Sequence, residues 1–338
     1  MSGVYDDAVA TASELSGEAR AAADEVLTRG SLSPYLPVEE SRTLTFSVEL
    51  NGLDLDEIAG FRAYDTGGTY GRAQGSRSTA QGKLPPITRR YKVDEVKLLL
   101  ELSDPAAKKA EYIRLARRSG VAIANRLLLA QSEALVDASL TLDENGIVAG
   151  VDYGRDASHD VVAAKLFTDP AADVVGMFES WNATYRATQG TDVAVWLLSR
   201  KALQALTTNA WLLAYANVNP GVDRISPDTV RSILSEWGIF VRVYEEVIGT
   251  TRLIPEEIML GLPASGSDQL GEGQLGKTMI GVTAEGLQPA YGLGGDSAVG
   301  LFSAAFGYNN PERTEVSGTA VGRPVLTNAN ATFKVEVL

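Results

Sequence analysis

The stretch DPAAKKAEYIRLARRSGVAIANRLLLAQSEALVDA, Asp104 to Ala138, decides the fold. Apolar or small residues recur at Ala110, Ile113, Ala116, Gly120, Ile123, Leu127, Ala134 and Ala138. Steps of three and four predict a helix with one buried stripe. Lys108, Lys109, Arg114, Arg117, Arg118 and Arg126 crowd its first two thirds. Asp104 suits the N-cap, and Pro105 then falls at the first helical position, where its missing N–H costs nothing. A rise of ~1.5 Å per residue makes a rod of about 50 Å. A helix this long reads as a spine for something larger than one compact domain, or as the long core helix of an ordinary α/β enzyme.

The segments ahead of the rod are extended. Ala8 to Arg29 reads as a helix stopped by Gly30, with SLSPYLP as a connector. RTLTFSVELN, Arg42 to Asn51, alternates with period two and predicts a strand, and EIAGFRAYD, Glu57 to Asp65, predicts a second. Thr66 to Gly82 is too polar to bury a core and reads as a mobile loop. KLPPITRRYKVDEVKLLLEL, from Lys83, returns in extended form with Pro85 and Pro86 at an edge. Two arms and a polar tip make a long hairpin. Such a hairpin is marginal alone, so it is expected to lie on a neighbouring chain.

Behind the rod, SLTLDENGIVAGVDYG predicts a hairpin turning at Asn145-Gly146. A compact mixed domain follows. Helices are predicted over Asp169 to Thr188, with Trp181 and Tyr185 on one face, over RKALQALTTNAWLLAYA from Arg200, and from Ser226-Pro227 to Trp237. VAVWLLS, IFVRVYEE, EIMLGLP and KTMIGVTAEG read as strands, Pro263 to Gly276 as a loop, and TFKVEVL as a final strand.

Composition narrows the chemistry. The chain has 338 residues, no cysteine, one histidine and a formal net charge of −13. Disulfides, thiolate metal sites and cysteine nucleophiles are excluded, and the acidic balance disfavours a basic nucleic-acid-binding face. His159, in GRDASHD, has no partner at a catalytic spacing and reads as a surface residue. Paired acids such as Glu39-Glu40 and Glu245-Glu246 read as solvated, and Asp152 as a turn cap. The N-terminus lacks the basic and apolar regions of a signal peptide, and no apolar run approaches the ~20 residues of a membrane span. No cofactor and no metal site is expected.

GEGQLGKT, Gly271 to Thr278, satisfies the P-loop pattern. That chemistry needs a helix after the loop to hold phosphates. TMIGVTAEGLQP instead alternates like a strand and then breaks at Gly286 and Pro289, so a Gly-rich surface loop is the better reading.

The order of arm, hairpin, spine helix, second hairpin, compact domain and final strand resembles the major capsid proteins of tailed bacteriophages, with the HK97-like fold. More narrowly it is similar to the lambda-type major capsid protein E family. EIAGFRAYDTG, KLPPITRRYKVDE, LTLDENGIVAGVDYG, TDPAADV and GRPVLTNANATFKVEVL carry the resemblance, which spans about Glu57 to Leu338. It implies an α+β fold with an N-terminal arm at 1–40 and an E-loop at 41–100. It also implies a P domain at 101–164, an A domain at 165–300, and a return to the P domain at 301–338. It implies a non-enzymatic protein that assembles as a homo-oligomer of hexamers and pentamers into an icosahedral shell. That shell encloses double-stranded DNA without reading its sequence, and is made in the bacterial host cytoplasm. A portal and a separate scaffold protein are the implied partners, with room for a decoration protein. Arg62, Tyr64, Asp65, Arg89 and Arg90 on the hairpin arms, and Arg117 and Arg118 on the spine, are the candidate inter-subunit contacts. A nucleotide-binding enzyme using Gly271 to Thr278 and an encapsulin-like compartment shell remain the alternatives.

Overall fold

The structure is a computed structural model that describes residues 4–5, 8–50, 78–93, 104–144, 147–216, 221–264, 275–294, 298–309 and 312–338. In chain order the first elements are β1 (Val4–Tyr5), α1 (Ala12–Arg29), β2 (Val38–Glu40), β3 (Thr45–Leu50), β4 (Ser78–Lys83), β5 (Pro86–Lys92) and α2 (Pro105–Asp137). Then come β6 (Ser139–Glu144), β7 (Ile147–Asp152), β8 (Asp160–Val162), α3 (Val174–Gln189), β9 (Val195–Leu198), α4 (Arg200–Leu206), α5 (Ala210–Tyr215) and α6 (Pro227–Glu236). The rest are β10 (Val241–Val243), β11 (Val247–Ile248), β12 (Thr251–Arg252), β13 (Ile258–Leu262), β14 (Gly276–Ile280), β15 (Phe302–Asn309), β16 (Glu312–Leu326) and β17 (Phe333–Glu336).

The chain divides into two compact units. The first holds Met1–Ser47, Gln81–Ser132 and Gly276–Val325. Its six-stranded sheet runs β1-β15-β16-β14-β2, with β5 also paired to β16. One face of this sheet packs on the helices. Gly318 of β16 lies so close to α2 that a Cβ there would meet Ser119 Oγ at 2.3 Å. Ser16 of α1 donates from Oγ to the Ser303 carbonyl and accepts from the Ser303 N–H. Gly120 of α2 approaches Ala19 of α1 until an added Cβ would sit 2.1 Å from its carbonyl oxygen.

The second unit holds Val48–Ala80, Glu133–Leu275 and Leu326–Leu338. Its five-stranded sheet runs β10-β9-β13-β17-β8. Phe178, Trp181, Tyr185, Trp196 and Phe333 fill its core. Arg155 closes the end of α2, donating from Nη1 to Val136 O at 2.7 Å and from Nη2 to the Leu135 carbonyl and Thr332 Oγ1. A cation there satisfies the last carbonyls and the negative end of the helix dipole. Burial brings this guanidinium down to about 10, against the pull of Asp160 and Asp137.

The spine helix spans the predicted residues. α1 begins later than Ala8 because Thr11 caps it in a capping box with Glu14. Gly30 ends it in extended backbone rather than the left-handed region, and the close approach of Leu128 Cδ2, 2.6 Å from where a Cβ would stand, is what calls for glycine. The loop expected over 66–82 is partly strand: Ser78–Lys83 pairs with β3, and Ala80 is buried. The helix expected from Arg200 is two, because Asn209 Oδ1 accepts from Trp211 N and Leu212 N and starts a new one. α3 starts at Val174 because Asp173 caps it. Ser226 and Pro227 open α6 as expected. The strand expected over Glu57 to Asp65 lies outside the described residues.

Candidate assembly surfaces

Arg62, Tyr64 and Asp65 lie outside the described residues. Arg89 and Arg90 sit on β5, opposite Gly318 and Ser317 of β16, so they point to opposite faces of the sheet. Arg89 and Arg118 both approach the Tyr91 ring, at 5.6 and 4.8 Å. Stacking of this kind fixes a guanidinium while leaving its edge to solvent. Arg90 is exposed on the other face, at the rim of a small polar pocket with Glu285, Gln288, Tyr291 and Glu315.

Arg117 is engaged within the chain. Its Nη1 donates to Glu18 Oε2 at 2.9 Å, and its Nη2 lies 3.9 Å from Glu25. Lys109 likewise donates to Glu14 at 2.9 Å. The acids of α1 thus face part of the cation row of α2. Each half-exposed pair contributes ~0–1 kcal/mol, so the row sets the register of the two helices more than their stability.

Residues 271–274 of the P-loop pattern lie outside the described residues, and Lys277 and Thr278 are placed for structure. Lys277 stands in β14 and donates to both carboxylate oxygens of Glu39, at 2.7 and 2.9 Å. Thr278 is fully buried, donates to Leu36 O and accepts from Gln131 Nε2. A magnesium-ligating hydroxyl must face a phosphate; this one faces a core carbonyl. The residues from Gly276 to Ile280 form a strand, as the alternation after Lys277 predicts. Among the described residues no group of histidines and acids is arranged to hold a metal ion, and no helix is long and apolar enough to cross a membrane. Asp152 caps a turn, accepting from Gly154 N at 2.8 Å.

His159 corrects the sequence reading. It is fully buried, its Nε2 is 2.9 Å from Thr188 Oγ1, and its ring packs on Tyr185 and Phe333. Nothing in GRDASHD announces this, because the apolar partners come from distant segments. Burial lowers its pKa, Arg155 adds to that, and the Thr332 backbone and Asp156 oppose it. The native state therefore stays neutral where the unfolded chain, near the ordinary ~6.5, takes up a proton. Stability falls as pH drops below that unfolded value, and the loss ends at the lowered native one. We expect the melting temperature to fall from pH 7.5 to pH 5.5 in the natural chain. A flat profile in His159→Gln, which keeps a hydrogen-bonding group and removes the titration, identifies the group. Equal slopes in both would exclude it.

Large apolar side chains are exposed at several places. A groove of about 950 Å³ in the first unit is lined by Leu44, Leu84, Leu287, Leu293 and Val299, together with Arg42 and Lys83. In the second unit Trp237, Phe240, Tyr215 and Val222 are each exposed by more than two fifths, and so is Val162 on β8. Sequence reading missed Phe240 and Val162. The alternation in IFVRV and DVV was their only signal, and it does not say which face of the strand is left open.

No family model matches the chain, and no curated protein matches it. Solved structures do. A protein of E. coli CFT073 described as a prophage capsid protein superposes with a TM-score of 0.60 at 12% identity, over 100% of both chains. A phage-related protein from Bordetella bronchiseptica RB50 superposes with a TM-score of 0.55 at 14% identity, over 99% of this chain and 98% of that one. The mixed helix-and-strand architecture is the HK97-like capsid fold.

Proposed function

We propose that the chain is the major capsid protein of a tailed bacteriophage, of the lambda-type E family. It assembles into hexamers and pentamers that close an icosahedral shell around double-stranded DNA. The observation that carries this reading is the end-to-end superposition on a prophage capsid protein, with neither chain left over. The cationic strand β5 and the exposed apolar groups of the second unit support it, because the described residues of a lone copy leave them uncovered. On this reading residues 1–40 are the arm, 41–100 the E-loop and 165–300 the A domain. Arg62, Tyr64, Asp65, Arg89, Arg90 and Arg118 contact neighbouring copies. Arg117 does so only by exchanging its bond to Glu18. The chain is synthesised in the host cytoplasm, has no catalytic role, and works with a scaffold protein and a portal.

Electron microscopy of the purified protein, alongside light scattering, tests this directly. Rings of five or six, tubes or closed shells are expected; a monodisperse monomer even with scaffold present would refute it. The nucleotide-binding alternative meets its own test in Lys277→Ala. That substitution is expected to leave labelled-nucleotide retention at the background of the natural chain, and to cost at most ~1 kcal/mol through the lost Glu39 pair.

A further inference from the structure

The two edge strands of the second unit's sheet, β10 and β8, are built as opposite ends of one repeating contact. β10 is parallel to β9, β8 is parallel to β17, and β13 is antiparallel to both β9 and β17. The two edges therefore run in the same direction. A neighbouring copy related by a rotation about an axis near the strand direction presents its β8 to this β10 with strand sense preserved. An isologous two-fold contact would bring β10 against β10 instead.

The register sharpens this. Arg242 pairs with Leu197, Leu197 with Leu260, Leu260 with Lys334, and Lys334 with Asp160. These five residues form one row on one face of the sheet, with a cation at the β10 end and a carboxylate at the β8 end. Among the described residues Arg242 makes no ion pair. Asp160 lies 3.4 Å from Lys334, which is nearer to Asp137 at 3.0 Å, and both acids also act on the Arg155 guanidinium. The same face carries an exposed apolar side chain at each end: Phe240, 56% exposed, two residues before Arg242, and Val162, 65% exposed, two residues after Asp160.

We propose that copies of this chain join head to tail through these edges, Arg242 of one copy facing Asp160 of the next, with Phe240 and Val162 covered by the neighbour. The inference rests on the capsid reading and deepens it by naming the contact that closes a ring. Opposite charges at the ends of one row fix register and reject the inverted contact, since that contact would bring like charges together.

Charge swaps test it on the full chain. Arg242→Asp and Asp160→Arg are each expected to raise the concentration needed for assembly at least tenfold. Their equimolar mixture restores every contact when the two alternate around a ring. Alternation closes in a ring of six and fails in a ring of five, so the mixture should give hexamers or tubes without closed shells. The double variant in one chain should assemble like the natural protein. Asp160→Arg disturbs the Lys334 site; if its melting curve shows it unfolded, Phe240→Ser and Val162→Ser read the same contact at positions more than half exposed, again with a tenfold rise. Single variants that assemble at the natural concentration, or a folded mixture that stays unassembled, would overturn the contact while leaving the capsid reading intact. A natural chain that never assembles would instead remove the capsid reading itself.

Discussion

Gly120→Ala is expected to destabilise the first unit by about 3 kcal/mol, whereas Gly17→Ala should stabilise it by about 0.8 kcal/mol. Both glycines lie inside helices, where alanine is intrinsically better by ~0.5–1 kcal/mol. Their surroundings decide the sign. A Cβ on Gly17 meets nothing within 4 Å. A Cβ on Gly120 would lie 2.1 Å from the Ala19 carbonyl oxygen and 2.9 Å from its carbon. Those atoms are backbone and cannot rotate away, so α1 and α2 must part. Parting them loosens the Ser16–Ser303 hydrogen bonds and the Arg117–Glu18 pair. Overpacking costs ~1–3 kcal/mol where side chains can yield and more where they cannot. Melts of both variants, taken under conditions that hold the protein unassembled, check the pair. Equal shifts in one direction would mean that helix propensity rather than contact governs position 120.

The spine helix was legible because its signal is local. The stripe from Ala110 to Ala138 lies in consecutive turns, and Pro105 marks the start. The Ser226-Pro227 cap, the pairing of β6 with β7 and the alternation after Lys277 were legible for the same reason. β16 was not foreseen. ERTEVSGTAVGRPVL carries two glycines and a proline, which weaken any strand signal. The glycines are there because Ser119 and Met279 O occupy the space of their Cβ atoms, at 2.3 and 2.7 Å. That reason lies more than forty residues away in sequence, in helix and strand partners that local pattern reading does not see.

The candidate contacts divide along the same line. Arg89 and Arg90 were picked out by a cationic run in an extended segment, and β5 is indeed an exposed strand. Arg117 belongs to an equally visible run, yet Glu18 and Glu25 of a separate helix engage it. His159 and Arg155 read as polar turn residues, while the fold buries the first and half-buries the second near the end of α2 and Thr332. A charge or a ring can be located in sequence, but its partner is a property of the topology. Arg242 and Asp160 are the extreme case. They become ends of one row only after four strand pairings are fixed, three of which join strands that are not consecutive in the chain.

Trp196→Ala should cost the second unit about 3–5 kcal/mol, the range for removing a large aromatic from a core. The Trp196 side chain is fully buried, edge-on to Phe178 at 5.4 Å and to Phe333 at 5.8 Å, with Trp181 at 5.9 Å. It therefore ties β9 to α3 and β17 at once. Its Nε1 has no hydrogen-bond partner among the described residues, so the loss is one of packing, and Trp196→Phe should cost well under half as much. Gly261 supplies the internal control. A Cβ there would sit 2.8 Å from Trp196 Cζ3, so Gly261→Ala alone is expected to destabilise. In the Trp196→Ala background that methyl enters vacated space and should be neutral or mildly stabilising. The double-mutant cycle is then non-additive by more than ~1 kcal/mol, as contacting residues require. Additive costs would mean that the indole and Gly261 do not share one site, and the packing assigned to this core would have to be redrawn. Since Phe333 lies two residues before Val335, which pairs with Val161 of β8, loss of the indole should also loosen the β8 edge. Assembly of Trp196→Ala should then fail at temperatures well below its melt, whereas Trp196→Phe should assemble.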